Sequence, residues 1–353
     1  MTGLVESTQR FERWLAQQTP IVRPDLALKH ERMAESPFVL LRGTFYRWVE
    51  LFAERCPSAF SAPVIPVIGD LHVENFGTWR DSEGRVAWGV NDVDEACVLP
   101  YTNDLVRLAT SAVLAGGRGK FELTPRDICG LILDGYLDAL DEGGDPVVLA
   151  ERRRWMRKII FSEQRDPRVF WPKLAAGRRA SGAIPNAVLK ASMPDPDITY
   201  RVVKRVAGVG SLGRQRFVAL AEWRGALVAR EVKAWVPSAA TWATGKASAG
   251  YDGMTLLAKA VRAPDPFYAT RNGWVVRRLA PDCSRIELEE LPDERDEERL
   301  LRTMGWETAN IHLGKRAPGV RVDLKSRPKR WLESAALTMA EFVDADWREW
   351  KRG

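Results

Sequence analysis

The chain has 353 residues, a formal net charge of +6 and 45% apolar residues, enough to bury a large core and to divide into two lobes. No apolar run reaches the ~20 residues of a membrane span, and the opening MTGLVESTQRFERWL has no basic start followed by an apolar stretch, so no secretory signal is expected. Cys56, Cys97, Cys129 and Cys283 form no CxxC pair; they read as reduced thiols of a cytoplasmic protein, not a zinc site or a disulfide framework. The positive balance favours anionic partners: phosphates, nucleotides or nucleic acid.

In chain order, residues 5–58 place apolar residues three and four apart in FERWLAQQ and PFVLLRGTFYRWVELFAERC, which predicts helices. The apolar run APVIPVIG (62–69) leads into the loop GDLHVENFG, and RVAWGVN (85–91) alternates as a strand after the turn DSEG. GDLHVENFG and VNDVDEA would then flank a β-hairpin and bring their polar ends together. The next helix has Asn103 as its expected N-cap and Gly116-Gly117 as its end, and a further helix spans 125–143. The basic run RRRWMRK (152–158) reads as the solvated face of a helix carrying Trp155, Ile159 and Ile160 inward. Residues 170–197, with four prolines, read as a linker. Strands are expected at 199–207, 215–223, 226–235 and 273–279, a helix at 251–263, and helices again from 293 onward.

Three clusters carry chemistry. In GVGSLG, Gly208, Gly210 and Gly213 surround Ser211 and are followed by a strand, not a helix. That context fits a strand–loop–strand cover over nucleotide phosphates better than a dinucleotide turn. Lys233 lies twenty residues beyond Gly213, on a strand whose one face carries Ala229, Glu231 and Lys233; from there a lysine reaches α- and β-phosphates. Asp70 and Asn75 have the D-x-x-x-x-N spacing of a phosphoryl-transfer loop, the Asp orienting the attacking hydroxyl and the amide holding a metal. Asp92 and Asp94 are candidates for the second metal ligand, because clustered carboxylates repel unless a cation is present. His72 is expected to fix the loop, and Asp104 to serve the helix start.

RMAESPFVLLRG, GDLHVENFG, VNDVDEA, NDLVRLATS and RVAGVGSLGRQRFVAL together resemble a bacterial family, the domain of unknown function 2252 family. More distantly, GDLHVENF, NDVDEA and NDLVRLA look like the catalytic loop, metal motif and following helix of aminoglycoside and choline phosphotransferases. That resemblance implies an α+β, protein-kinase-like two-lobed fold with ATP and Mg2+ as cofactors and a small-molecule acceptor. Asp70 would take the base position, Asn75 and Asp92 the metal positions with Asp94 as a further ligand, Gly208, Gly210 and Gly213 the phosphate loop, and Lys233 the phosphate-binding lysine. The order is rotated, since the catalytic loop precedes the glycine loop. A circular permutation is therefore expected, with a helical lobe over 1–195, a small β-rich lobe over 196–280 ending in a hinge at 273–279, and returning helices over 281–353. Kinases usually pair this lysine with a helical Glu, but no Glu stands between Glu231 and Glu287, and Glu231 is the candidate substitute. The alternatives are a nucleotide-binding pseudokinase or a nucleic-acid-binding module.

Overall fold

The computed structural model describes residues 2–117, 122–149, 153, 155–157, 165–283, 285, 296–314 and 319–352. The basic run at 152–158 and the isoleucines after it lie largely outside them. The fold is α+β.

The first half holds α1 (Leu4–Gln18), α2 (Arg23–Met33), α3 (Pro37–Gly43), α4 (Phe45–Arg55) and α5 (Pro57–Phe60), then four short strands and the helices α6 (Thr102–Gly116) and α7 (Pro125–Glu142). Two of these starts are chemically marked. Ser36 Oγ accepts from the Val39 amide ahead of Pro37, and Thr124 Oγ1 accepts from the Asp127 amide ahead of Pro125. An orphan amide is satisfied, and proline falls where no N–H is needed. β1 (Val64–Val67) pairs antiparallel with β4 (Cys97–Pro100), and β2 (Phe76–Arg80) with β3 (Val86–Val90). At the turn DSEG, Asp81 Oδ1 accepts from the amides of Glu83 and Arg85. The register Phe76↔Val90 then leaves Asn75 beside Asn91 and Asp92.

A five-stranded antiparallel sheet runs in the order β5 (Arg201–Lys204), β6 (Arg216–Trp223), β7 (Ala226–Ala234), β9 (Trp274–Leu279), β8 (Ala269–Arg271). Segment 170–197, expected as a linker, instead contributes to two short helices, α8 (Pro167–Ala175) and α9 (Asn186–Ser192), that clamp this sheet. Phe170, Trp171 and Leu174 pack on Val203, Val218 and Leu279 of one face; Val188, Leu189 and Met193 pack on Phe217, Val232 and Val276 of the other. Pro167 opens α8 and Pro185 precedes α9, so these prolines mark helix starts rather than the absence of helix.

Between β7 and β8 lie α10 (Ala239–Thr244) and α11 (Gly253–Lys259), the latter shorter than the helix expected over 251–263. The closing helices α12 (Glu297–Leu313), α13 (Val320–Ser326) and α14 (Trp331–Trp350) return to the first half, α12 against α7 and α14 against α6. One apolar core joins them to the hairpin strands. The chain's two ends meet: the Val5 amide donates to Glu349 Oε1 at 3.4 Å, and Arg47 Nε donates to Asp346 Oδ2 at 2.9 Å. No helix among the described residues is long and apolar enough to cross a membrane.

Candidate functional site

The loop before β2 is held by its backbone. Gly69 has φ +82°, and a Cβ there would stand 2.2 Å from the Glu95 carbonyl oxygen, so only glycine fits. The amides of Ile68 and Gly69 donate to the two oxygens of buried Asp104, at 2.8 and 3.0 Å. His312 Nε2 lies 3.1 Å from the same carboxylate, and its Nδ1 lies 2.8 Å from the Tyr136 hydroxyl. Asp104 does sit in the first turn of α6, as expected, but it also ties that helix to the loop and to α12. Asn103 is not the expected cap. The helix begins at Thr102, and the Asn103 side-chain Nδ2 donates to the Gly69 carbonyl at 3.1 Å.

Asp70 Oδ1 accepts from Arg107 Nε at 2.9 Å and from Arg107 Nη2. Arg107 is itself buried, with its guanidinium 5.1 and 5.0 Å from the rings of Phe45 and Trp48. Oδ2 accepts no hydrogen bond among the described residues. Burial pushes the Asp70 carboxyl above its usual range despite Arg107, and the neighbouring Asp92 charge adds to the rise. His72 is buried, and its Nδ1 accepts from the Glu74 amide at 3.2 Å. Burial, then the charges of Arg42 and Arg107, push its pKa well below the usual histidine value. A neutral imidazole bonded to its own loop is a brace.

Asn75 bridges the two acidic loops. Its amide nitrogen donates to the carbonyls of Asp70 and Asp92 at 3.0 and 2.9 Å, and its amide oxygen accepts from the Asp92 amide at 3.0 Å. Lys233 arrives from β7 with its side chain 1% exposed, donates to Asp92 Oδ2 at 2.7 Å and also pairs with Asp94. Burial pushes Asp92 up, but Lys233 and Arg277 outweigh it and hold the carboxyl well below its usual range. Asp94 is raised, by burial first and by Asp92 second, against Lys233 and Arg214. Asp94 Oδ1 is buried without a hydrogen bond; Oδ2 pairs with Lys233 and, at 3.5 Å, with Arg214.

The substitute partner expected for the lysine is engaged elsewhere. Glu231 shares its strand face with Lys233 but is bound by Arg277 Nε at 2.8 Å, Arg205 Nη1 at 3.0 Å and Arg216 Nη1 at 3.4 Å. Burial raises its carboxyl, and the three arginines overcome that and hold it well below its usual range. Lys233 takes the aspartates because β7 runs into the cleft beside the Asp92 loop.

The glycine loop folds over Asp70. Val209–Ser211 form one 3-10 turn between Gly208 and Gly213, both at positive φ. A Cβ on Gly210 would stand 2.9 Å from the Arg42 carbonyl oxygen and 3.5 Å from Asp70 Oδ2. Ser211 Oγ accepts from Arg216 Nη2 at 2.5 Å. Asp70, Asn75, Asp92, Asp94, Gly208, Gly210, Ser211, Glu231 and Lys233 line one cleft of about 750 Å³, whereas Gly213 lies outside its lining, against Leu26. Among the described residues, twelve lysines and arginines line it against seven carboxylates. The sequence reading missed the arginines. Arg205 lies just past β5, Arg216 opens β6 and Arg277 lies on β9, and no local pattern announced that all three would turn to Glu231.

The family model described as "Uncharacterized protein conserved in bacteria (DUF2252)" matches residues 22–175 and 198–353, most of the chain. No curated protein and no solved structure matches it.

Proposed function

We propose that this chain, which belongs to the bacterial family DUF2252, is a nucleotide-dependent phosphotransferase. Its two lobes would be arranged as in protein kinases, with their parts in rotated chain order. The observation that carries the reading is one of convergence. Gly210 and Lys233, from the sheet half, meet Asp70 and Asp92, from the helical half, in a single cleft with five more cations than carboxylates. Such a balance suits a polyanion, and a triphosphate is the polyanion these parts handle.

In this reading Asp70 Oδ2 orients the acceptor hydroxyl and takes its proton as the oxygen bonds to the γ-phosphorus and the nucleoside diphosphate leaves. A carboxyl raised by burial is the better proton acceptor. Arg107 and Asn75 fix the loop around it. Lys233 and the arginines gathered on Glu231 neutralise the phosphates. Among the described residues no group of three His, Cys, Asp or Glu forms a self-sufficient cation cage. Mg2+, however, takes one or two carboxylates and completes its shell with phosphate oxygens and water. Asp92 and Asp94 would fit that demand once Lys233 turns to the phosphates, since Asp94 Oδ1 is buried with no hydrogen bond and Oδ2 is held by Lys233. Bound there with the nucleotide, the metal would supply charge neutralisation at the phosphates. Asn75, its amide spent on backbone groups, acts as the strut that sets the Asp70–Asp92 distance.

A second reading, nucleotide binding without turnover, is favoured by one feature: Lys233 is closed onto Asp92 and Asp94. Thermal shift with ATP, with and without Mg2+, tests the binding step. Stabilisation that weakens in Asp92→Ala is expected, and salt-sensitive binding to DNA or RNA with no nucleotide response would point to a nucleic-acid module instead. Phosphoryl transfer by Asp70→Asn separates the two nucleotide readings. Loss of turnover with retained ATP binding supports catalysis; turnover equal to wild type removes Asp70 from its role.

A further inference from the structure

Lys29 is a buried cation in the cleft that the nucleotide reading does not use. It lies on α2, is 2% exposed, and among the described residues makes no hydrogen bond and no ion pair within 4 Å. Its Nζ sits 6.0 and 5.7 Å from the ring centres of Phe11 and Tyr46, and all three line the same cleft as Asp70. The carboxylates nearest in charge are Glu12, Glu95 and Asp70. Each is already engaged: Glu12 by His30 at 2.6 Å, Glu95 by Arg214 at 3.0 Å and the Ala239 amide at 2.7 Å, Asp70 by Arg107. Glu95 is engaged through both oxygens and Glu12 and Asp70 through one each, and none of the three forms an ion pair with Lys29. Burial pushes the ammonium down to about 8, which is the mark of a charge whose counter-ion is missing.

The surroundings of Lys29 differ from those of the phosphate side. Arg205, Arg216 and Arg277 gather on Glu231, whereas Lys29 senses Glu12, Arg214 and Glu95. Asp70 belongs to both fields: it senses Asp92, and Lys29 senses it. We infer that Lys29 receives the oxyanion group of the acceptor, so that the substrate is a small anionic hydroxyl compound, a hydroxy acid or a phosphate ester. The stacked rings of Phe11 and Tyr46, with centroids 4.2 Å apart, border its carbon body on one side, and its hydroxyl reaches Asp70. This inference rests on the phosphotransferase reading for the word "acceptor", but the anion site itself does not.

The test uses the full chain and three probes with related hydroxyls: D-glycerate, glycerol 3-phosphate and glycerol. Lys29 is labelled with 2,4,6-trinitrobenzenesulfonate near pH 8, and its rate is followed by peptide mass spectrometry. One or both anions are expected to slow labelling about tenfold, as loss of the free amine to a charge-assisted hydrogen bond requires, and glycerol is not. The arm that protects identifies carboxylate or phosphate. In parallel, the anion should raise the melting temperature of wild type but not of Lys29→Met, with partial recovery in Lys29→Arg. Protection by neither anion together with an anion shift unchanged in Lys29→Met overturns the inference; so does equal protection by glycerol, or protection by Mg·ATP alone. Absence of any Mg·ATP response beside intact anion protection would instead remove the phosphotransferase reading and leave the anion site standing.

Discussion

Replacing Lys233 by Met is the sharpest perturbation of this cleft. The substitution keeps the chain's bulk on β7 but removes the ammonium bound to Asp92 at 2.7 Å and to Asp94. Losing one partner of a buried ion pair costs about 3–5 kcal/mol, because the remaining charge stays desolvated. Two features reduce that figure here. Arg277 Nη2 stands 3.8 Å from Asp92, and the Asp94 carboxyl, already raised by burial and by Asp92, rises further once the lysine is gone, which lessens the cost of leaving it charged. A loss of roughly 3 kcal/mol at pH 7.5 is therefore expected. The pH dependence has a definite sign. With its folded pKa raised above the unfolded one, Asp94 binds a proton more tightly in the folded variant, so stability recovers as pH falls through that folded pKa toward the unfolded value. Urea unfolding of wild type and variant from pH 5 to 8 measures both. Adding Asp94→Asn to the variant should restore part of the loss and flatten the pH profile. A variant within 1 kcal/mol of wild type across that range would refute the coupling of β7 to the acidic loop.

Asp104→Asn replaces an acceptor of the Ile68 and Gly69 amides with a group that must turn a donor toward one of its neighbours. A loss of roughly 3 kcal/mol is expected by urea unfolding, together with reduced turnover even where the variant is folded. Lys29→Met should change the alkaline limb of the stability curve. The folded pKa of Lys29, about 8, lies below its ordinary 10.5, so between these values the unfolded chain holds a proton the folded one lacks, and wild-type stability gains with rising pH by up to roughly 3 kcal/mol. The Met variant should lose that gain, and a superimposable alkaline profile would contradict the burial of a charged Lys29. Gly210→Ala puts a methyl 2.9 Å from the Arg42 carbonyl oxygen and should lift the glycine loop. Nucleotide affinity is expected to drop about tenfold while unfolding free energy changes by less than about 1 kcal/mol, since the loop is a surface element.

The local parts of the site were legible because each is specified by neighbours in sequence. The DSEG turn fixes the hairpin that brings Asn75 to Asp92, and alternation on β7 puts Glu231 and Lys233 on one face. What lay hidden depends on distant residues. Nothing near Asp104 announces that His312, more than two hundred positions later, will bind it. Glu231 beside Lys233 suggested a pair, yet three arginines on two neighbouring strands and a loop claim it first. Lys29 has the helical pattern of a surface residue and becomes buried only when α1, α4 and the glycine loop close around α2. The four prolines of 170–197 suggested a linker, yet Pro172 lies inside α8 and Pro185 just ahead of α9, and only the sheet faces those helices cover decide the matter.

The central claim is that Gly210, Lys233, Asp70 and Asp92 form one nucleotide site. Titration calorimetry of Mg·ATP into wild type and Gly210→Val tests it most directly. The account predicts one site per chain in wild type and affinity at least about tenfold weaker in the variant, whose side chain would press on the Arg42 carbonyl and toward Asp70. No heat of binding in wild type, or equal affinity in both proteins, would contradict it.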